Sequence, residues 1–354
     1  IKGSAIFVLG RNSGGEECDR HIENDYYLTE SEKNLMGRIC QIFENVILIL
    51  NINGVVDLKW IDTYSAIKAV LFLGIPGEEG CGALADILTG RINPSGKLGF
   101  TIAESLWDYP TANNFTWNKE NPEDILTYEN YGLSAAKNGS IGYDKSPVTL
   151  YQEDIYLGYR YFDTFQKKVL FPFGSGLSYT SFDIVPKEVI QQDEEYEIVT
   201  EVTNTGNYAG KETIQLYLSC QNTATERPQK ELKGFEKTKL LAPGESEEIH
   251  IYIERKELAV YVEAKASYIL EKGTYCFLIG NTSNKVETAG EIHVDEDLII
   301  KKCTNCLQIQ ECNVEQLRFL SAKSGEKKAE HYDNSRSESC RSEAALKNET
   351  AELK

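Results

Sequence analysis

The sequence predicts two folded parts in series: an α/β sandwich domain with a mainly parallel sheet, then an all-β antiparallel sandwich, followed by a polar tail. Three observations carry this. Nearly continuous apolar runs alternate with helical patterns in the first part of the chain. Around Leu177 the helical patterns stop and short period-two runs take over. From about Asp297 the chain turns polar and rich in Ser, Lys and Glu.

The elements of the first part follow in order. Residues 4–9 (SAIFVL) read as a buried strand. Residues 29–43 (TESEKNLMGRICQIF) open with a Thr-x-x-Glu capping box, Thr29 to Glu32, and place Leu35, Ile39, Ile42 and Phe43 at helical spacing. Residues 46–52 (VILILNI) form a second strand, 55–63 a short helix and 66–75 (AIKAVLFLGI) a third strand. Residues 76–90 read as a helix with Gly90 as its C-terminal cap, and 97–102 (KLGFTI) as a fourth strand. Apolar strands alternating with helices predict a parallel sheet covered on both faces. Residues 105–148 lack clear periodicity and read as long surface loops, and 151–176 is a connector dense in aromatics.

In the second part, runs at 196–203, 213–219, 248–253, 267–270 and 274–279 alternate with turn signals such as Pro243-Gly244 and Lys272-Gly273. Period-two runs at this spacing predict an antiparallel sandwich. The expected division is therefore 1–150 for the α/β sandwich domain, truncated at its N-terminus, 151–176 for the connector, 177–296 for the β-sandwich and 297–354 for a disordered polar tail.

Composition bounds the function. A chain of 354 residues holds two ordinary domains. No run of 18 apolar residues occurs, so no membrane span is expected. A net charge of -18 argues against nucleic acid, whose phosphates need clustered Lys and Arg, but leaves neutral ligands such as sugars unpenalised. The chain opens on Ile1 without a signal-peptide pattern, and its one Met, Met36, falls inside a predicted helix, so a fragment of a longer protein is expected. Nine Cys occur without framework spacing. Cys18, Cys40, Cys81, Cys220 and Cys276 read as isolated thiols, which favours a reducing, cytoplasmic setting. Cys303 and Cys306 form one CxxC, but Cys312 and Cys340 are badly spaced to complete a zinc site. His21, His250, His293 and His331 lie far apart, and neither a metal site nor a Ser-His-Asp set is expected. Sequons at Asn114, Asn138, Asn281 and Asn348 carry little weight without a signal peptide.

The candidate chemistry lies in residues 10–20, GRNSGGEECDR. Two adjacent carboxylates, Glu16 and Glu17, follow the first strand in a glycine-rich loop, with Asp19 and Arg20 behind them. Ligands of parallel sheets sit at the carboxyl ends of the strands, which is where this loop falls. The plain alternative is a solvated acidic turn. A phosphate cradle fails because no Lys-Ser/Thr follows, and a dinucleotide fold fails because no G-x-G-x-x-G follows the first strand. Residues 76–80 (PGEEG) also end a strand and open a helix, either as acids suited to a helix's first turn or as a loop that contacts sugar or orients a domain. Tyr156, Tyr159, Tyr161, Phe162 and Phe165 either bind sugar rings or, more simply, pack the connector against its neighbours. Arg160 and Asp163 are candidates for an interdomain pair.

Four segments together resemble glycoside hydrolase family 3, the β-glucosidase and β-xylosidase type. They are GRNSGGEECDR at 10–20 with Tyr27-Leu-Thr29, PGEEG at 76–80 with ADILTG at 85–90, NPSGKL at 93–98, and EDIYLGYRYFD at 153–163 running on to FPFGSGLSYT at 171–180. The likeness covers roughly residues 1–294 in the family's order. It implies an α/β sandwich domain followed by an immunoglobulin-like, fibronectin type III-like domain, and a (β/α)8 barrel for which this sequence shows no eightfold pattern. It also implies the chemistry of a retaining β-glycosidase. The nucleophile would be an Asp on the absent barrel, and the acid/base a Glu in a motif like S-G-E-x-x-D-R. Counted back from Asp19-Arg20 the match is Glu16, with Glu17 the runner-up because this loop holds one residue more than the pattern. Asp19 and Arg20 would hold the loop. The implied substrates are oligosaccharides or aryl β-glycosides ending in glucose or xylose. The implied partner is the barrel of the same protein, no cofactor is implied, and the fragment alone would be inactive. Leu73 and Ile75 stand near where the family often has a Trp, which puts a stacking platform there in doubt. The competing reading is a non-catalytic carbohydrate-binding or interaction module.

Overall fold

The structure, a computed structural model, describes residues 3–11, 22–113, 127 and 151–304. Its first part is a three-stranded parallel sheet, β1 (Ser4–Gly10), β2 (Asn45–Asn51) and β3 (Ile67–Phe72), in that order. Between β1 and β2 runs α1 (Glu30–Ile42), which begins where the sequence predicts: the Glu32 amide donates to Thr29 Oγ1 (3.2 Å) and the Thr29 amide to Glu32 Oε2 (2.8 Å). Met36 is fully buried, and Ile39 and Phe43 pack with it against Phe7, Leu9, Val46, Leu48 and Leu50. Each such side chain contributes about 1.5–3 kcal/mol by leaving water.

The expected cover on both faces is not met at the β1 edge. Burial there alternates, with Phe7 and Leu9 inside and Ile6 and Val8 each 55% exposed, while Ile49 on the central strand stays buried. The helix predicted for 55–63 shortens to a 3₁₀ turn at Lys59–Thr63. The helix α2 spans Gly80–Leu88, starting after the PGE turn rather than at Pro76. It closes as foreseen: Gly90 takes φ +72, its amide donates to Ile87 O (2.9 Å), and the Arg91 amide donates to Asp86 O (2.8 Å).

The fourth strand of the sheet is a correction. Only β4 (Ile102–Ala103) is extended, and it pairs antiparallel with β5 (Val169–Phe171) of the connector, not with β3. The preceding residues are engaged elsewhere. The Leu98 amide donates to Ser175 O (2.8 Å), the Gly174 amide donates to Leu98 O (2.9 Å), and the Phe100 ring meets Phe72 edge-on. Leu98, Phe100 and Ile102 of the run do pack on the core, but its backbone bonds go to the connector.

The connector carries α3 (Tyr159–Thr164) and then enters the sandwich. One sheet has the order β10 (Ser246–Glu254), β7 (Glu195–Asn204), β6 (Phe182–Gln192). The other has the order β14 (Lys285–Val294), β13 (Gly273–Thr282), β8 (Thr213–Gln221), β9 (Glu231–Lys237). Along β10, Ile249, Ile251 and Ile253 are buried, whereas His250 and Tyr252 face out. They meet Ile214, Leu216, Leu218 and Phe277 of the other sheet in one core. A small third sheet orders β11 (Val260–Val262), β12 (Ser267–Leu270) and β15 (Leu298–Lys302). The strand β15 falls in the stretch read as polar tail. It is ordered by pairing with β12, from Ser267↔Lys302 to Leu270↔Leu298, and by Ile300 packing on the core. The rest of that tail, 305–354, lies outside the described residues, as do most of the loops read at 105–148.

The two parts meet along a polar seam built from NPSGKL. Asn93 Oδ1 accepts from Ser178 Oγ and the Tyr179 amide (both 2.8 Å), while Asn93 Nδ2 donates to Ala209 O (3.0 Å). Lys97 Nζ lies 2.7 Å from Glu212 Oε1. A Cβ on Gly176 would stand 2.3 Å from Gly96 O, so the FPFGSG and NPSG backbones touch only because that position has no side chain.

Candidate functional site

The candidate loop leaves β1 and is described at its two ends. At the first, the Arg11 amide continues the ladder by donating to Asn51 O (3.2 Å). The Arg11 side chain, only 6% exposed, then turns back across the loop's base. Its Nε donates to Asp25 O (2.6 Å), Nη1 to Gly10 O (2.8 Å) and Glu32 Oε1 (2.7 Å), and Nη2 to Glu32 Oε2 (3.0 Å). Its Nε also lies 3.5 Å from Asp25 Oδ1. One guanidinium therefore joins the residue before the loop, the chain after it and the first turn of α1. At the second end, residues 22–26 turn irregularly, with Glu23 extended and Asn24 at φ +66, before Tyr26 enters the core.

Glu32 does two jobs, closing the capping box and forming the fork with Arg11. Burial pushes its carboxyl pKa up, but the bonds from Arg11 and the Thr29 amide outweigh this and hold it below the usual carboxylate value.

At the end of β3, the Leu73 and Gly74 amides donate to Leu50 O (2.9 and 3.3 Å), and the chain turns outward. Glu78 and Glu79 are exposed and precede α2; Glu79 is its N-cap but makes no side-chain capping bond. Ile75 is 60% exposed.

Glu16, Glu17, Asp19 and Arg20 lie outside the described residues. The connector aromatics pack, as the simpler reading had it. Tyr156 and Phe162 are 1% exposed, Phe162 meets Tyr109 edge-on, and Tyr159 lies tilted against Phe173 and edge-on to Tyr217. The Tyr159 hydroxyl accepts from the Leu232 amide (2.7 Å). Arg160 and Asp163 do not pair with each other. Each reaches a residue at the start of β9: Arg160 Nη2 lies 3.2 Å from Glu231 Oε1, and Lys230 Nζ lies 3.0 Å from Asp163 Oδ2. At the sequon Asn281, the side-chain amide donates to Glu212 Oε2 (3.0 Å). Sequence reading missed Arg11 and the second job of Glu32. The sequence offered only an Arg at the strand's end before a glycine-rich loop, and nothing local names Glu32, 21 positions on, as its partner.

Residues 3–159 match the glycosyl hydrolase family 3 C-terminal domain, and residues 212–283 match a fibronectin type III-like domain. A beta-glucosidase of Ruminococcus albus is 32% identical over 310 residues, which is 86% of this chain and 30% of that protein. A solved beta-glucosidase from Paenibacillus barengoltzii superposes with TM-score 0.72 at 34% identity, covering 84% of this chain and 31% of its own. Beta-glucosidase 3B from Thermotoga neapolitana, solved with α-D-glucose, gives TM-score 0.70 at 32% identity, covering 84% of this chain and 38% of its own. The chain thus spans about a third of the length of the relatives it matches, and no (β/α)8 barrel occurs among its described residues. With its α/β domain and its β-sandwich both matched in the expected order, the chain belongs to glycoside hydrolase family 3.

Proposed function

We propose that this chain supplies the general acid/base of a retaining, exo-acting β-glycosidase that removes terminal β-linked glucose or xylose from oligosaccharides or aryl β-glycosides. Glu16 is the acid/base, with Glu17 the runner-up, and Asp19 and Arg20 hold their loop. The observation that carries the reading is the loop's place in the chain: it joins the carboxyl end of β1 to α1 within the stretch that matches the family 3 C-terminal domain. The names of the relatives, beta-glucosidases throughout those cited, support the substrate class.

In this mechanism an Asp of a (β/α)8 barrel attacks the anomeric carbon as the glycosidic bond breaks. Glu16 gives its proton to the departing oxygen, so the alcohol leaves neutral. Glu16, now a carboxylate, takes a proton from water, whose oxygen attacks the same carbon and releases the Asp. No cofactor enters. The chain alone, without the nucleophile, is inactive.

The test mixes the full chain with the barrel-bearing remainder of a relative and follows p-nitrophenyl β-glucoside. Turnover should appear only in the mixture, and Glu16→Ala should lower it by on the order of 10²–10⁴-fold. Undiminished turnover in both Glu16→Ala and Glu17→Ala would remove the acid/base role from this loop. The competing reading is a non-catalytic carbohydrate-binding or interaction module. Saturable binding of β-glucosides by the chain alone, with no turnover in any mixture, would select it.

A further inference from the structure

We infer that the free edge of β1 is an interaction surface: it takes a parallel, apolar strand from the barrel-bearing remainder of the protein, and that strand's flanking structure covers Ile6 and Val8. The identity of the partner rests on the reading above; the surface itself does not.

The strand is built as an inner one yet stands at an edge. Its residues, SAIFVLG, include no charge and no proline, and its register with β2 is unbroken. Edges that face water normally carry such features, which stop another strand from pairing. The other edge of the same sheet, β3, has Lys68, and the edge β6 of the sandwich has Pro186, Lys187 and a register shift. At the end of β1 the Arg11 amide points at Asn51 O, and main-chain groups along a strand alternate sides. The N–H and C=O groups of Ile6 and Val8 therefore point away from β2, where no strand lies among the described residues.

Both sides of this edge are apolar. Ile6 and Val8, each 55% exposed, lie beside Ile47 and Ile49 of β2, which lie beside Ala69 and Leu71 of β3, so these rows of the sheet face hold no polar side chain. On the opposite face, α1 leaves Leu35 and Ile42 half-exposed. They lie on the flank of α1 turned away from Gly37. A Cβ on Gly37 would stand 4.0 Å from the hydroxyl of Tyr64, which leads into β3. Leu35 and Ile42 thus overhang β1. Parallel sheets are covered on both faces, and one added strand with its flanking helices would cover these four side chains together.

A second copy of the chain fits this edge less well. Each copy carries a net charge of -18 and repels another. A two-fold axis would also set β1 against β1 antiparallel, whereas this sheet is parallel throughout. The larger part of beta-glucosidase 3B from Thermotoga neapolitana, by contrast, lies outside the 38% that this chain covers.

The test mixes the full chain with the folded part of that Thermotoga enzyme lying outside the matched segment. A one-to-one complex should form, in which the Ile6 and Val8 amides exchange at least ~10²-fold more slowly than in the chain alone. Val8→Lys sets a charge in the contact and should weaken the complex at least ~10-fold, whereas Tyr252→Lys, at a half-exposed position on the sandwich, should change it by less than about 2-fold. Both positions face water in the chain alone, so both variants should melt like the wild type. No complex, a complex in which the two amides exchange as in the chain alone, or one indifferent to Val8→Lys would overturn the inference. So would a dimer of the chain alone that protects the same amides. Turnover judges the acid/base reading separately. A complex that protects β1 but leaves p-nitrophenyl β-glucoside intact keeps the surface and counts against that reading; turnover by a complex with β1 unprotected does the reverse.

Discussion

Lys97 Nζ and Glu212 Oε1 stand 2.7 Å apart across the seam between the α/β domain and the sandwich, with side chains 11% and 8% exposed. The pair is well satisfied on its acidic side. The Thr213 amide donates to Glu212 Oε1 (2.7 Å) and Asn281 Nδ2 to Glu212 Oε2 (3.0 Å). Lys97 belongs to NPSGKL, so a motif that marks the family in sequence acts here as interdomain structure. Removing one partner strands the other charge away from water, which typically costs about 3–5 kcal/mol. Lys97→Met should lower the unfolding free energy of the chain by that amount in urea. The double variant Lys97→Met/Glu212→Gln should recover at least about 1 kcal/mol of it. Additive losses in the double variant would mean that the two groups are not coupled.

Gly176 offers a test in which only one methyl changes. A Cβ there would lie 2.3 Å from Gly96 O and 3.1 Å from Lys97 Cδ, and the obstructing oxygen is backbone, so the seam itself must open. Gly176→Ala should cost about 1–3 kcal/mol as an overpacking change. Gly99→Ala, where nothing lies within 4 Å of the new atom, should stay within about 0.5 kcal/mol of the wild type. Both are read from melting curves of the full chain. Equal stability of the two variants would show that the FPFGSG and NPSG backbones do not meet as described.

How much of this was legible follows a physical line. Central strands bury both faces or alternate cleanly, and β2, β7, β8, β12 and β13 were all read from their residues. Edge strands bury less and carry polar residues; the strands that were missed, β5, β6, β9, β11, β14 and β15, are all edges of their sheets, while the edges β1, β3 and β10 were read because their apolar residues run on or alternate as in a central strand. In β6 the run is further broken by Pro186, which sits at a register shift where an edge tolerates it. The Thr29 capping box was legible because it is local. The Arg11 fork was not, because it joins residues 21 positions apart and because an arginine in a polar loop reads as solvated. Similarly, Arg160 and Asp163 were expected to pair with each other and do not; which residue each reaches, Glu231 and Lys230, is set by the docking of α3 beside β9, which no local pattern encodes.

Glu32 makes the fork's contribution visible through pH. Its carboxyl titrates below the ordinary value in the folded chain; burial opposes this, and the bonds from Arg11 and Thr29 overcome it. A depressed folded pKa means that the unfolded chain takes up the proton first. The stabilisation is therefore complete above the unfolded value of about 4.3 and is lost as pH falls through the lower, folded one. Glu32→Gln removes this linkage together with the charge-assisted bonds, and should cost about 1.5–3 kcal/mol at pH 7. The gap between wild type and variant should narrow as the pH drops below about 4.3. Other carboxylates with lowered values, such as Glu104 and Glu245, are common to both proteins and cancel in the difference. Urea unfolding of the two chains across pH 7 to the acid limit measures the gap directly. A gap that stayed constant over that range would mean that the carboxylate of Glu32 is not held by Arg11, and the base of the loop would lose its clamp.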